Sequence, residues 1–169
     1  MDANNILSDG VRYNASMRIL GIDPGYERLG IAVLEKPNVV LFSECFKTSA
    51  KLEFAERLNL IGAEVRKIIK KYKPEALAIE TLFLTTNQKT VMRVAEARGV
   101  LLYEAIQAGL KIFEASPPQI KIATTGYGKA DKAQMIKMVK MLVKIDASKK
   151  SDDELDAIAI ALTGLAHLR

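Results

Sequence analysis

The sequence predicts a single α/β domain in which helices flank a mixed β-sheet. Three β-rich runs come first, and helical and strand patterns then alternate from residue 54 onwards. A meander followed by alternating strands and helices is typical of a mixed sheet. The length of 169 residues corresponds to about one domain. The hydrophobic content of 49% is sufficient to bury a core.

The first three elements are predicted strands of an antiparallel meander. Arg18–Ile22 and Leu29–Leu34 are β-rich runs separated by Asp-Pro-Gly and a polar turn. The third strand, Val39–Phe46, follows Pro37 and Asn38. Cys45 in this third strand is expected to be a small core residue.

The rest of the chain is predicted to alternate between helices and short strands. An apolar stripe at helical spacing runs from Phe54 to Tyr72, and Pro74 ends that helix. Ser116, followed by two prolines, opens a short helix. The remaining predicted strands are Leu77–Ile79 and Lys111–Phe113, and the remaining helices cover about Val91–Ile106, Lys132–Lys144 and Asp153–Leu168.

The first sixteen residues are expected to be a leader or tag, disordered and outside the domain. They are polar, contain no apolar segment of a secretory signal, and precede Met17, which opens an apolar run. The domain is therefore expected to span residues 17–169. The absence of a signal and of a disulfide framework favours a cytoplasmic location.

Composition excludes several classes of protein and site. No apolar run approaches the roughly 20 residues that cross a bilayer. One cysteine and one histidine leave no Cys-based zinc site and little room for a His-dependent centre.

Four acidic residues occupy positions that predict a metal site. Asp23 and Glu80 each close an apolar strand, and parallel pairing of these strands would put both carboxylates at one edge of the sheet. Asp153 and Asp156 share one face of a helix. Alone, Asp153 also fits a helix-start acid and Asp23 a turn residue. Together, clustered oxygen ligands suit Mg²⁺ or Mn²⁺.

Four sequence motifs follow one another along the chain. They are GIDPGYERLG (Gly21–Gly30), AIETLF (Ala78–Phe83), EARG (Glu96–Gly99) and DELDAIAIALT (Asp153–Thr163). GIDPG alone is shared by several phosphate-handling families, but its combination with the other motifs in this order is specific. From about Met17 to its end, the chain closely resembles the RuvC family of Holliday-junction resolvases.

The resemblance implies a ribonuclease-H-like fold with a five-stranded mixed sheet, and a homodimer that nicks four-way DNA junctions. It implies hydrolysis with two Mg²⁺ ions, which Mn²⁺ can replace, leaving 5′-phosphate and 3′-hydroxyl ends. It also implies a branch-migration motor as partner. Asp152 is an uncertain neighbour of the site. By motif match the catalytic, metal-binding carboxylates are Asp23, Glu80, Asp153 and Asp156.

The expected DNA-binding surface is rich in lysine. Residues 111–150 hold nine lysines and three acidic residues, a net charge of 9 − 3 = +6. Lys121 and Lys132 resemble positions that bind the phosphate backbone in the family, and Lys129 follows a glycine-containing loop. Phe83 resembles an aromatic that stacks on an unpaired base, although a core position is the other interpretation. The helix that carries the EARG motif is expected to form the dimer contact.

Three alternatives stay open at the level of sequence. A YqgF-type nuclease shares the fold and the opening motif. A non-catalytic junction-binding module would keep the lysines but has little reason to keep four acids. A sugar- or acetate-kinase-like fold would need a second domain.

Overall fold

The computed structural model describes residues 17–82, 88–146 and 149–168, so the expected leader at residues 1–16 lies outside the described residues. The strands are β1 (Arg18–Asp23), β2 (Arg28–Glu35), β3 (Val39–Lys47), β4 (Ala76–Glu80) and β5 (Lys111–Ala115). The helices are α1 (Phe54–Tyr72), α2 (Gln88–Gln107), α3 (Pro117–Thr125), α4 (Lys132–Val143) and α5 (Asp152–His167). None of the helices in these ranges is long and apolar enough to cross a membrane.

The five strands form one mixed sheet in the order β3-β2-β1-β4-β5. The meander β1-β2-β3 is antiparallel, as the short polar connections predict. Strands β4 and β5 each follow a long helix and pair in parallel, β4 with β1 and β5 with β4. The predicted α/β class with a five-stranded mixed sheet is confirmed, and each of the five strands is one or two residues longer than predicted.

The sheet separates two apolar cores because successive strand residues point to opposite faces. Leu20 and Ile22 lie in the core that helices α1 and α2 cover. Ile19 lies in the other core, together with Ala78 of β4 and most of α5. Helices α3 and α4 cover the outer side of α5, so α5 is buried over nearly its whole length. An α-helix that is apolar on all sides is expected for such a position.

A glycine in the central strand lets α5 lie directly against the sheet. A Cβ added to Gly21 would stand 2.4 Å from the carbonyl oxygen of Ala157 and 2.6 Å from the Cβ of Ala161. Both distances are far shorter than a van der Waals contact. Close packing of α5 on β1 therefore depends on the missing side chain of Gly21.

Candidate active site

Asp23 and Glu80 end neighbouring parallel strands at the same edge of the sheet. Ile22 of β1 pairs with Ile79 of β4, and each carboxylate residue follows directly. Two residues along a strand share a face, so Asp23 lies on the side of Ile19 and Glu80 on the side of Ala78, which is the side covered by α5. The parallel pairing that the sequence predicted is confirmed.

Helix α5 begins at this same edge of the sheet and carries Asp153 and Asp156. Its start is defined by a capping box, in which Ser151 accepts a hydrogen bond from the backbone N–H of Glu154 and donates its own backbone N–H to the Glu154 carboxylate. Gly30, which pairs with Asp23, makes room for the helix start, because an added Cβ would lie 2.1 Å from the Asp153 carbonyl oxygen.

Three of the four predicted carboxylates line one cavity of about 280 Å³. Asp23 and Glu80 form its floor at the strand ends, and Asp156 belongs to its α5 wall. Lys121 of α3 and Lys132 of α4 line the same cavity. In such a cavity the carboxylates can bind cations and the lysines can bind the phosphate group of a phosphodiester.

Two of the four carboxyl groups, Asp23 and Glu80, have a raised pKa. The pKa of Asp23 is raised to about 7, first by burial and then by the negative charges of Asp156, Glu80 and Asp153, while Lys132 lowers it by less. Burial and then the charge of Asp156 also raise the pKa of Glu80. Asp23 thus lies within electrostatic reach of all three other carboxylates, and its ionised form requires a compensating cation.

Asp153 faces the sheet, where the side chains of Arg28 and Cys45 hold it. Neither residue was predicted from the sequence to belong to the site. Arg28 donates from Nε at 2.9 Å and from Nη2 at 2.5 Å to Oδ2 of Asp153. Cys45 donates its S–H to the same oxygen at 3.4 Å. Partial burial works against ionisation, but these hydrogen bonds outweigh it and lower the pKa of Asp153. Cys45 is thus half-buried beside the site, whereas a core position was expected.

Lys132 is in contact with the acidic cluster in this structure. Its Nζ lies 2.8 Å from Oδ2 of Asp156 and 3.5 Å from Oδ2 of Asp152. Asp152, the uncertain neighbour in the sequence, is exposed and lies on the outer side of the cluster, beside Lys132. The ammonium group of Lys132 therefore stands where positive charge is needed.

The donor set fits hard divalent cations, although the four carboxylates are not drawn together around one point. Across the described ranges, no three Asp, Glu, His or Cys side chains are arranged so that they could already hold a metal ion. Two carboxylates have a cation of the protein instead, Arg28 for Asp153 and Lys132 for Asp156. The available donors are carboxylate oxygens, which Mg²⁺ and Mn²⁺ prefer. The pKa of Asp23 is raised first by burial and then by neighbouring negative charges, so a nearby cation would favour its ionised form.

The expected DNA-binding residues differ in how far the structure describes them. Lys121 is half-buried at the cavity, and Lys129 is exposed in the turn between α3 and α4. That turn starts at Gly126, whose φ of 76° ends α3 in the left-handed region. Phe83 lies outside the described residues.

Arg98 of α2 connects the dimer-candidate helix with the site. Its Nε donates to the backbone carbonyl of Glu80 at 3.2 Å, and its Nη2 donates to the carboxylate of Glu114 on β5. Arg98 is mostly buried. In the sequence, Arg98 was notable only as part of the EARG motif, which predicted a dimer contact and not a contact with Glu80.

The sequence is similar to one protein family over most of its length. The model of the family "Crossover junction endodeoxyribonuclease RuvC" matches residues 19–164. The crossover junction endodeoxyribonuclease RuvC of Thermosipho melanesiensis is 45% identical over 148 residues, which cover 86% of this chain and 94% of that protein. The protein of the same name from Roseiflexus sp. is also 45% identical over 148 residues, with coverage of 86% and 88%.

Solved structures agree with this similarity. The structure of T. thermophilus RuvC in complex with a Holliday junction substrate superposes with a TM-score of 0.84 at 31% identity, covering 90% of this chain and 95% of that one. The yeast mitochondrial Holliday junction resolvase superposes with a TM-score of 0.68 at 16% identity, covering 88% and 78%. The second likeness concerns the fold alone.

Proposed function

The chain belongs to the RuvC family of crossover junction endodeoxyribonucleases, and on this premise we propose that four carboxylates at one edge of its sheet cut the strands of a Holliday junction. The enzyme is a phosphodiester hydrolase of DNA recombination and repair. This family membership excludes the two alternatives of a YqgF-type nuclease and a kinase-like protein. The proposed catalytic and metal-binding residues are Asp23, Glu80, Asp153 and Asp156.

One observation carries the assignment of the site. Asp23, at the end of the central strand, shares a cavity with Glu80 and Asp156, and its pKa is raised to about 7 first by burial and then by the negative charges of the other carboxylates. Perturbed carboxylates that line a cavity are typical of functional sites. A non-catalytic domain has no reason to keep this unfavourable cluster, because replacing one acid would relieve the repulsion.

The residues of the chain divide the work of hydrolysis. Asp23 lies nearest the centre of the cluster and is the proposed shared ligand, with Glu80 on one side and Asp153 and Asp156 on the other. These carboxylates would hold two Mg²⁺ ions, whose chemistry would be to activate a water molecule and to stabilise the charge on the leaving 3′-oxygen. With no histidine at the cavity, the carboxylates orient the attacking water and hold the charge balance. The expected product is a nick with 5′-phosphate and 3′-hydroxyl ends.

The lysines of α3 and α4 are proposed to bind the DNA backbone beside the cavity. Lys121 and Lys132 line it directly, and Lys129 extends the basic surface outwards. Each phosphate contact contributes a salt-dependent part of the affinity. Phe83 is proposed to stack on an unpaired base at the junction centre, a role that rests on the AIETLF motif alone.

A homodimer is proposed to form through α2. Met92, Tyr103 and Ile106 are each at least 60% exposed. They lie on one stripe of the helix with the exposed Gly99, since their positions are separated by 7, 4 and 3 residues. A large exposed apolar stripe with a small residue at its centre suits close helix contact. A two-fold dimer would present two sites to a two-fold junction. A branch-migration motor is the further partner that family membership implies.

Nicking of a labelled four-way junction tests this proposal. With Mg²⁺ we expect paired nicks carrying 5′-phosphate ends, and with EDTA we expect binding without nicks. Asp23→Asn should abolish nicking. Glu44→Gln is the matched control, because Glu44 pairs with Ile31 and lies on the opposite face of the sheet. Junction binding without nicks under every metal condition would instead identify a binding module.

A further inference from the structure

We propose that Arg28 is a positioning residue for the cleavage reaction, which holds the Asp153 carboxylate in the orientation required for metal binding. The inference rests on the proposed function, in which Asp153 is a metal ligand. It assigns a role to a residue of β2 that lies outside the set of four carboxylates.

The sheet register brings Arg28 and Cys45 to Asp153. Gly30 pairs with Asp23 on one side and with Cys45 on the other, so these three residues lie in one row across the sheet. Arg28 stands two residues before Gly30 and therefore points to the same face. The start of α5 enters the space above Gly30, where a Cβ would clash with the Asp153 backbone. Arg28 and Cys45 border this space and reach the carboxylate.

All three hydrogen bonds end on a single oxygen. Nε and Nη2 of Arg28 and Sγ of Cys45 contact Oδ2 of Asp153, and neither residue uses Oδ1. The rigid fork of the guanidinium places two donors on this oxygen at once, which holds Oδ2 in place more firmly than a single ammonium group would. Oδ1 takes part in none of these three contacts and is left available to a cation.

This contact is better suited to orientation than to stability. The Arg28 side chain is 48% exposed, and ion pairs of exposed side chains contribute little to the stability of a fold. Carboxylates that bind metals are commonly held by hydrogen-bond donors behind them, and loss of such a donor typically costs about 10–100-fold in metal affinity or activity. Arg28 fits that role by geometry and by charge.

The affinity of the DNA-free protein for Mn²⁺ measures this role directly. It is obtained by titration, with the electron paramagnetic resonance signal of unbound Mn²⁺ as the readout. We expect Arg28→Ala to weaken binding about 10–100-fold. Arg28→Lys keeps the charge but not the paired donors and should lie between Arg28→Ala and the wild type. Lys47→Ala is the matched control. Lys47 is the cross-strand partner of Arg28, and the substitution also removes one positive charge from this place in the sheet. This variant should bind Mn²⁺ within about twofold of the wild type.

Junction affinity in EDTA and the melting temperature accompany these measurements. Both should change little in Arg28→Ala, and if this variant does not fold, Arg28→Gln takes its place with the same expectation. Equal Mn²⁺ affinity of the Arg28 and Lys47 variants would overturn the inference. Tighter binding by Arg28→Ala would also overturn it, because Arg28 would then compete with the metal. If the wild type itself neither binds Mn²⁺ nor nicks the junction, the proposed function fails instead.

Discussion

The ammonium group of Lys132 lies 2.8 Å from the Asp156 carboxylate across the cavity. A residue expected to bind DNA is therefore also an internal counter-ion of the acidic cluster. Contact with Asp156 raises the pKa of Lys132 although burial opposes this, so the side chain stays charged at neutral pH. If DNA binds at the cavity as proposed, the lysine can exchange the Asp156 carboxylate for a phosphate group without losing its charge.

Lys121→Ala and Lys132→Ala are expected to weaken junction binding. Each lost phosphate contact should reduce the log–log slope of affinity against salt concentration by about one. Salt titration of purified variants measures this slope. Lys111→Ala is the control, since Lys111 pairs with Ala76 at the opposite end of the parallel strands. If the two variants showed the same slope as Lys111→Ala, Lys121 and Lys132 would be solvent-exposed surface residues that do not contact the DNA.

Asp23→Asn is expected to abolish nicking and to retain junction binding or strengthen it. The change removes the central proposed metal ligand together with one negative charge beside the DNA. Gel shifts in EDTA and nicking in Mg²⁺ separate the two effects. If binding and nicking fell in parallel, Asp23 would support the fold and not the reaction.

The metal-free protein is expected to lose stability as the pH rises from about 4 to about 7. Asp23 has a pKa of about 7 in the fold against an ordinary value of 3.8, so between these values the folded state holds a proton that the unfolded chain has released. Stability falls with pH wherever the folded state binds more protons. The raised pKa of Glu80 acts in the same direction.

Asp23→Asn removes the part of this dependence that comes from Asp23, and should therefore stabilise the metal-free protein at pH 8 but not at pH 4. The gain is on the order of 1–3 kcal/mol, or roughly 2–10 °C in Tm for a chain of this size. Thermal melts in EDTA at the two pH values measure it. A gain of the same size at both pH values would point to packing and exclude relief of charge repulsion.

Tyr103→Glu is expected to convert the protein to a monomer. The substitution places a charge in the exposed stripe of α2, where burial in a dimer would be costly. Sedimentation analysis gives the oligomeric state, and the junction assay should show single nicks in place of paired ones. Met141→Glu is the control, because Met141 of α4 is 63% exposed outside that stripe. Equal masses of the two variants would reject α2 as the interface.

Local patterns were sufficient to predict the positions of the four carboxylates along their elements. Asp23 and Glu80 end apolar strands. Because successive side chains of a strand point to opposite faces, a few residues are enough to assign each carboxylate to a face of the sheet. Asp153 and Asp156 share a helix face because three residues make nearly one turn. The mixed sheet followed from the order of these patterns, since a helix between two strands favours parallel pairing.

The partners of these carboxylates were decided only by the tertiary structure. Arg28 is 125 residues from Asp153 in the chain, and Lys132 is 24 residues from Asp156. Their contacts depend on the register of β2 against β1 and β3, and on how closely α5 and α4 pack. Periodicity says which face a side chain occupies, but a hydrogen bond requires a position within a few tenths of an ångström. That position is set by packing between elements distant in sequence, and no local pattern carries it.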